Sequence, residues 1–330
     1  MPCRKFTRHR LAMHRGQIPS LTELLVRPSC GLVVAENFMQ TTVVNTPGTG
    51  MPLPAQQQQA LIKLLSDEDP TVYEAVREKI ISLGSDTQIW LKPCQISSDP
   101  TLRRHAQEIV RHFDRETADT RFMALCLQDE DKIDLEKGAL LLARTAYPEI
   151  NVAAYSALLD DFAGELREWL AQGDPAQRLL ERVNEFMFSR LGFTGNMENY
   201  YDPENSFLNR VLDRRTGNPV SLCVTYILIA RRLGLPVSAV GLPGHSVCRY
   251  VSASDEIYID VFNLGKLLTR NDCIKHLNRC KHEVREEYLQ PKTARRVLAR
   301  MCGNLEQIYS EANRQDDAAR VQRYLFALTR

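Results

Sequence analysis

The sequence predicts an α+β protein: helices through most of the first half, a small antiparallel sheet late in the chain, and a helical end. Three observations predict it. Apolar residues recur at three- and four-residue spacing from 56 to 192 and again from 294 to 330, the period of amphipathic helices. Strict alternation runs through His245–Val251 and Glu256–Val261, the period of half-buried strands. Between the two textures stands one sharply punctuated helix, opened by Asn218-Pro219 and closed by Gly234-Leu235-Pro236.

Bulk properties set the function classes. A chain of 330 residues has room for about two domains. Its hydrophobic content of 44% and charged content of 25% are those of a soluble globular protein. Lys and Arg number 42 against 41 Asp and Glu, so the basic excess of a nucleic-acid binder is missing. No apolar run approaches the ~20 residues that cross a bilayer. Nine cysteines, an odd number with no CxxC pair, argue against a disulfide framework and for a reducing, cytoplasmic compartment. No cofactor or metal is implied, and neither nucleic acid nor membrane is an expected partner.

Residues 1–55 stand outside the fold reading. Met1–Gly16 carries Arg4, Lys5, Arg8, Arg10 and Arg15, and no acid precedes Glu23. Such a start suits a nucleic-acid arm, a targeting segment, or a disordered tail upstream of a natural start at Met39 or Met51. Thr41–Gln59, rich in Thr, Pro, Gly and Gln, reads as linker. A helical domain is expected over 56–192. Asp69-Pro70 and Asp99-Pro100, thirty residues apart, each open a helix, because the carboxylate caps free N–H groups and proline fits the first turn. The repeat resembles HEAT-type helix pairs. Leu135–Tyr147, Asn151–Gln172 and Ala176–Leu191 are three further helices, the second with Tyr155, Leu158, Leu159, Phe162, Leu166 and Leu170 on one stripe.

A polar-aromatic loop is expected over Phe193–Asn209, and a loop of this length in a compact chain is often functional. Asn196, Tyr200, Tyr201, Asp202 and the helix-opening Asn218 are candidate pocket-lining residues. The helix that follows buries Leu222, Tyr226, Ile229, Ala230 and Leu233. The sheet should lie within about 237–263, with Ser252–Asp255 as the turn between the two alternating strands. A symmetric four-residue turn pairs Val251 with Glu256 and Val247 with Asp260. His245, two residues from Val247, then shares a face with Asp260, within reach of a hydrogen bond. A carboxylate bonded to one ring nitrogen fixes the tautomer and aims the other. Cys273, His276 and Cys280 fall on one face of a later helix, a spacing compatible with metal, but one short run reads better as an ordinary amphipathic helix.

The stretch GFTGNMENYYDPENSFLNRVLDRRTGNPVSLCVTYILIARRLGLPVSAVGLPGHSVCRY, followed by IYIDVFNLGKLLTRNDC, resembles SirB-type proteins. Their core is of the transglutaminase-like, papain-like α/β kind. The resemblance covers roughly 130–330. It divides the chain into a core at 193–280 and a C-terminal tetratricopeptide-like helical hairpin at 281–330. It also implies a Cys–His–Asp triad. PGH places His245 and IDVFN places Asp260 in that triad, with Val261 where relatives tend to carry proline. The cysteine is missing: counting back from Leu233-Gly234, its place falls near Pro219–Ser221. Ser221 has the position, in the first helical turn where free N–H groups favour an anion. Cys223 has the better chemistry but points about 200° away on the helix. Two functions stay open. One is an acyl-transfer or amide-hydrolysing enzyme with His245 as base, Asp260 as its orienter and Ser221 or Cys223 as nucleophile. The other is a non-catalytic module that binds a protein or peptide on a retired core.

Overall fold

The computed structural model describes residues 53–171 and 173–330. The expectations for the basic start and most of the linker lie outside these residues. The first helices are α1 (Ala55–Leu64), α2 (Pro70–Ser82), the single turn α3 (Gln88–Leu91) and the long α4 (Pro100–Cys126). Asp69 accepts from the Thr71 N–H, and Asp99 accepts from Thr101 and Leu102, so both Asp-Pro pairs cap helices. The N-terminal half of α4 buries Ile109, Val110 and Phe113 against Leu65, Val76, Ile80 and Leu91. Its C-terminal half sends Phe122 and Leu125 into the main core.

Next come α5 (Leu135–Ala146), α6 (Val152–Trp169) and α7 (Ala176–Asn184), which runs on as a π-helical turn to Arg190. The expected loop beyond it holds a strand, β1 (Thr194–Gly195), and a 3-10 turn at Pro203–Ser206. After α8 (Leu208–Arg214), β2 (Thr216–Gly217) pairs in parallel with β1. The polar loop is therefore pinned back onto the start of the central helix.

That helix, α9 (Pro219–Arg232), is buried at every position from Pro219 to Ala230. At about 1.5–3 kcal/mol for each fully buried large aliphatic side chain, it anchors the core. The main sheet has five antiparallel strands in the order β6-β5-β4-β3-β7: β3 (Val237–Leu242), β4 (His245–Val251), β5 (Glu256–Asp260), β6 (Lys266–Leu268) and β7 (Pro291–Lys292). The sheet thus runs past the expected limit at 263. The two strands beyond it are three and two residues long, too short to alternate visibly.

The two sheet faces differ. Cys248, Tyr250 and Ile259 pack with α9 in the main core. Val240, Leu242, Val247 and Tyr258 pack on the other face, with Cys273 and Leu277 of α10 (Arg270–Arg279). The chain ends in the hairpin α11 (Ala294–Glu311) and α12 (Gln315–Thr329), whose Leu298, Met301, Leu305, Val321 and Leu328 complete the main core. Among the described residues, no helix is long and apolar enough to cross a membrane.

Candidate functional site: a histidine–aspartate groove

The β4–β5 register runs from Val251↔Glu256 to Cys248↔Ile259, which carries Val247 opposite Asp260. His245 and Asp260 share the α10 face of the sheet, and His245 Nε2 lies 2.9 Å from Asp260 Oδ1. Asn263 holds the same carboxylate, donating from its side chain to Oδ2 at 2.8 Å and from its backbone to Oδ1 at 3.3 Å. Burial alone would raise the Asp260 pKa, but the bonds from His245 and Asn263 outweigh it and hold the group below its ordinary 3.8. Asp260 is therefore ionised at neutral pH. An ionised carboxylate only accepts, so His245 carries its proton on Nε2 and leaves Nδ1 for whatever enters the site.

The backbone of His245 is clamped as well. Pro243-Gly244 makes the two-residue turn between β3 and β4, with Gly244 at φ +71°. Arg300, from α11, donates through one guanidinium nitrogen to the carbonyls of Leu242 at 2.9 Å and His245 at 2.8 Å. One arginine thereby staples both ends of the turn that presents the histidine.

His245 lies in a groove of about 1020 Å³ between the sheet and α10, with Val247, Leu268, Cys273 and His276 among its walls. The His276 ring sits 5.8 Å from that of His245, and its Nε2 is 3.7 Å from Cys280 Sγ. Burial, then His245 and Arg279, push the His276 pKa below 6.5. Phe262 stands edge-on to His245 at 6.2 Å and to Tyr200 at 5.9 Å, which separates the tyrosine loop from the histidine. A smaller groove of about 410 Å³ at Trp169 and Arg182 has neither histidine nor thiol in its lining.

Ser221 and Cys223 are elsewhere. Ser221 is fully buried and closes a capping box with Asn218: its Oγ accepts from the Asn218 N–H at 3.1 Å and its N–H donates to Asn218 Oδ1 at 3.0 Å. The hydroxyl proton points to the Asn205 carbonyl at 2.6 Å. Cys223 is buried beneath the opposite sheet face, where Cys248 Sγ lies 3.7 Å from its carbonyl oxygen. Among the described residues, no hydroxyl or thiol is within hydrogen-bond distance of His245. The structure brings the histidine and the aspartate together and leaves both candidate nucleophiles out.

A family model described as transglutaminase-like superfamily matches residues 153–303. The UPF0162 protein of Xylella fastidiosa (strain 9a5c) is 35% identical over 203 residues, which cover 60% of this chain and 72% of that protein. The chain belongs with the UPF0162 proteins, and its residues 153–303 match the transglutaminase-like model. Another member, from Pseudomonas aeruginosa, is 30% identical over 194 residues, 57% of this chain and 68% of its own length. Human F-box only protein 21 is 35% identical over 136 residues, which cover 39% of this chain and only 21% of that longer protein. No solved structure gives a significant match.

For this family member, the other sequence-derived candidates have structural partners. Asn196 is buried and donates to Asn205 Oδ1 at 2.9 Å. Asp202 caps the 3-10 turn and pairs with Arg214 at 2.8 Å. Asn218 caps α9 and donates to Ser206 at 2.8 Å. Tyr200 and Tyr201 meet edge to face with ring centroids 5.2 Å apart, Tyr201 more exposed. None of these five lines the groove; their neighbour Met197 does. Cys273 is fully buried while Cys280 is exposed, so the two thiols do not share a surface. Asn263 and Arg300 were not legible as site residues. Asn263 could have been found as the residue three beyond Asp260 in IDVFN, the offset at which a side chain returns to an Asp. Arg300, 55 residues from His245, leaves no local signal.

Proposed function

We propose that this protein is a non-catalytic binding module, built on a transglutaminase-like core, that holds a protein or peptide segment in the His245 groove. One observation carries the reading: the residue at the nucleophile's position, Ser221, is spent on capping α9, and its hydroxyl proton is given to a backbone carbonyl. A nucleophile needs its base within hydrogen-bond reach. His245 has instead Asp260, two aromatic neighbours and open groove. The dyad then acts as a fixed recognition pair, with Nδ1 turned to the ligand. The recurrence of this segment as a small part of a longer F-box protein supports its use as a module. Within the family we read the chain as SirB-type, with its C-terminal hairpin as a tetratricopeptide-like scaffold and its setting as cytoplasmic.

The test is selection of peptides from a random display library on the full chain. Affinities of the winners are then remeasured on His245→Ala, Val247→Arg and Ser221→Ala. Selected peptides lose at least about tenfold on the two groove variants and little on Ser221→Ala. Cleavage or acyl transfer of a selected peptide, dependent on His245, sinks the reading.

A further inference from the structure

We infer that the occupant of the His245 groove is an acidic, extended peptide segment of a partner protein; this inference rests on the binding reading above. The groove's two carboxylates are already consumed internally. Asp260 is held by His245 and Asn263. Asp272 accepts from the Thr269 N–H at 3.0 Å and hydroxyl at 2.7 Å, with Lys275 3.7 Å from its other oxygen. Beyond Lys275, two cations of the groove are not consumed. Lys266 on β6 and Arg279 on α10 both line it, both are exposed, and neither side chain has a hydrogen bond or ion pair with another described residue. A chain with a net charge of only +1 thus keeps unneutralised positive charge on two walls of one groove. Charged walls steer and select a ligand of opposite sign.

Two further features point to an extended peptide over a small anion. First, β6 is the outer strand of the sheet. Its residues Lys266, Leu267 and Leu268 all line the groove, and an outer strand accepts an added strand. Second, the aliphatic side chains Leu242, Val247, Leu267 and Leu268 line the same groove as the cations, which suits side chains alternating between acidic and aliphatic. The volume of about 1020 Å³ is at the upper end of small-ligand pockets, about 300–1,000 Å³. The chain's own start is the wrong occupant by charge, since residues 1–22 carry basic side chains and no acid.

Fluorescence anisotropy with labelled peptides of alternating leucine and glutamate, leucine and glutamine, or leucine and lysine tests this on the full chain. The glutamate peptide is expected to bind at least about tenfold tighter than the glutamine peptide, and to weaken as salt screens the charges. Lys266→Glu with Arg279→Glu reverses the order in favour of the lysine peptide. Lys266→Gln with Arg279→Gln levels it. Both pairs change exposed, unbonded side chains, so circular dichroism and melting temperature stay at the wild-type values. Equal binding of all three peptides to wild type, still lost in His245→Ala, overturns the charge inference and leaves the binding reading standing. Binding of the glutamate peptide that survives both Lys266→Glu with Arg279→Glu and His245→Ala overturns both. Failure of all three peptides to bind overturns the inference.

Discussion

Ser221→Ala separates a structural serine from a catalytic one. The substitution removes the 2.6 Å donation to the Asn205 carbonyl and the acceptor 3.1 Å from the Asn218 N–H. Neither partner is left wholly unbonded, because the Asn218 N–H also reaches the Asn205 carbonyl at 3.2 Å. The cap on the Ser221 N–H survives, since it is a backbone bond to Asn218 Oδ1. A buried polar group left unpaired costs about 1–3 kcal/mol. With half the bonding retained, the expected loss is about 1–2 kcal/mol. For the roughly 280 described residues at ~2.1 cal/mol/K each, that lowers the melting temperature by about 2–3 °C. Asn218→Ala removes the cap itself and the bond to Ser206 and costs more. Urea and thermal unfolding measure both, and display-selected peptides report the groove. A Ser221→Ala protein of unchanged stability that has lost its function refutes the capping role.

Three other outcomes follow from the geometry. His276 has its pKa depressed below 6.5 by burial, His245 and Arg279. The unfolded chain therefore binds more protons than the folded one below that value, so stability falls as pH drops from 6.5 toward the folded pKa and is unaffected above it; His276→Gln should flatten this slope in urea titrations. Gly195→Ala places a methyl 2.6 Å from the Phe262 ring and 2.7 Å from its carbonyl oxygen. That overpacking should cost about 1–3 kcal/mol and shift the His245 ring resonances in NMR spectra. Arg300→Ala frees both carbonyls of the Pro243-Gly244 turn. It should cost about 2–3 kcal/mol and weaken the His245–Asp260 bond, seen as loss of the fixed Nε2–H tautomer in nitrogen-15 spectra; an unchanged tautomer would show that the turn holds without the staple.

How far the sequence carried the structure varied with the range of the forces involved. The Asp-Pro and Asn-Pro helix openings were legible because a cap bonds within three residues of itself. The pairing of His245 with Asp260 was legible because a four-residue turn fixes the register of a whole hairpin. The position of Ser221 was legible, but its partner was not. A capping box and an oxyanion-binding helix start use the same residue types, and only the Asn205 carbonyl, sixteen residues upstream, decides between them. Cys223 is buried in the main core, where the thiol of Cys248, on the facing strand, lies 3.7 Å from its carbonyl oxygen. What stayed hidden was long-range: Arg300 reaching the turn from α11, α10 laid across the sheet to bring His276 beside His245, and the two short strands that widen the sheet.

The central claim is that neither Ser221 nor Cys223 serves the dyad of His245 and Asp260 as a nucleophile. Its most direct test exposes the native chain to fluorophosphonate and iodoacetamide at neutral pH and locates adducts by peptide mass spectrometry, for wild type and His245→Ala. The account predicts no adduct on Ser221 or Cys223 in either protein. Modification of Ser221 or Cys223 in wild type that disappears in His245→Ala would contradict it.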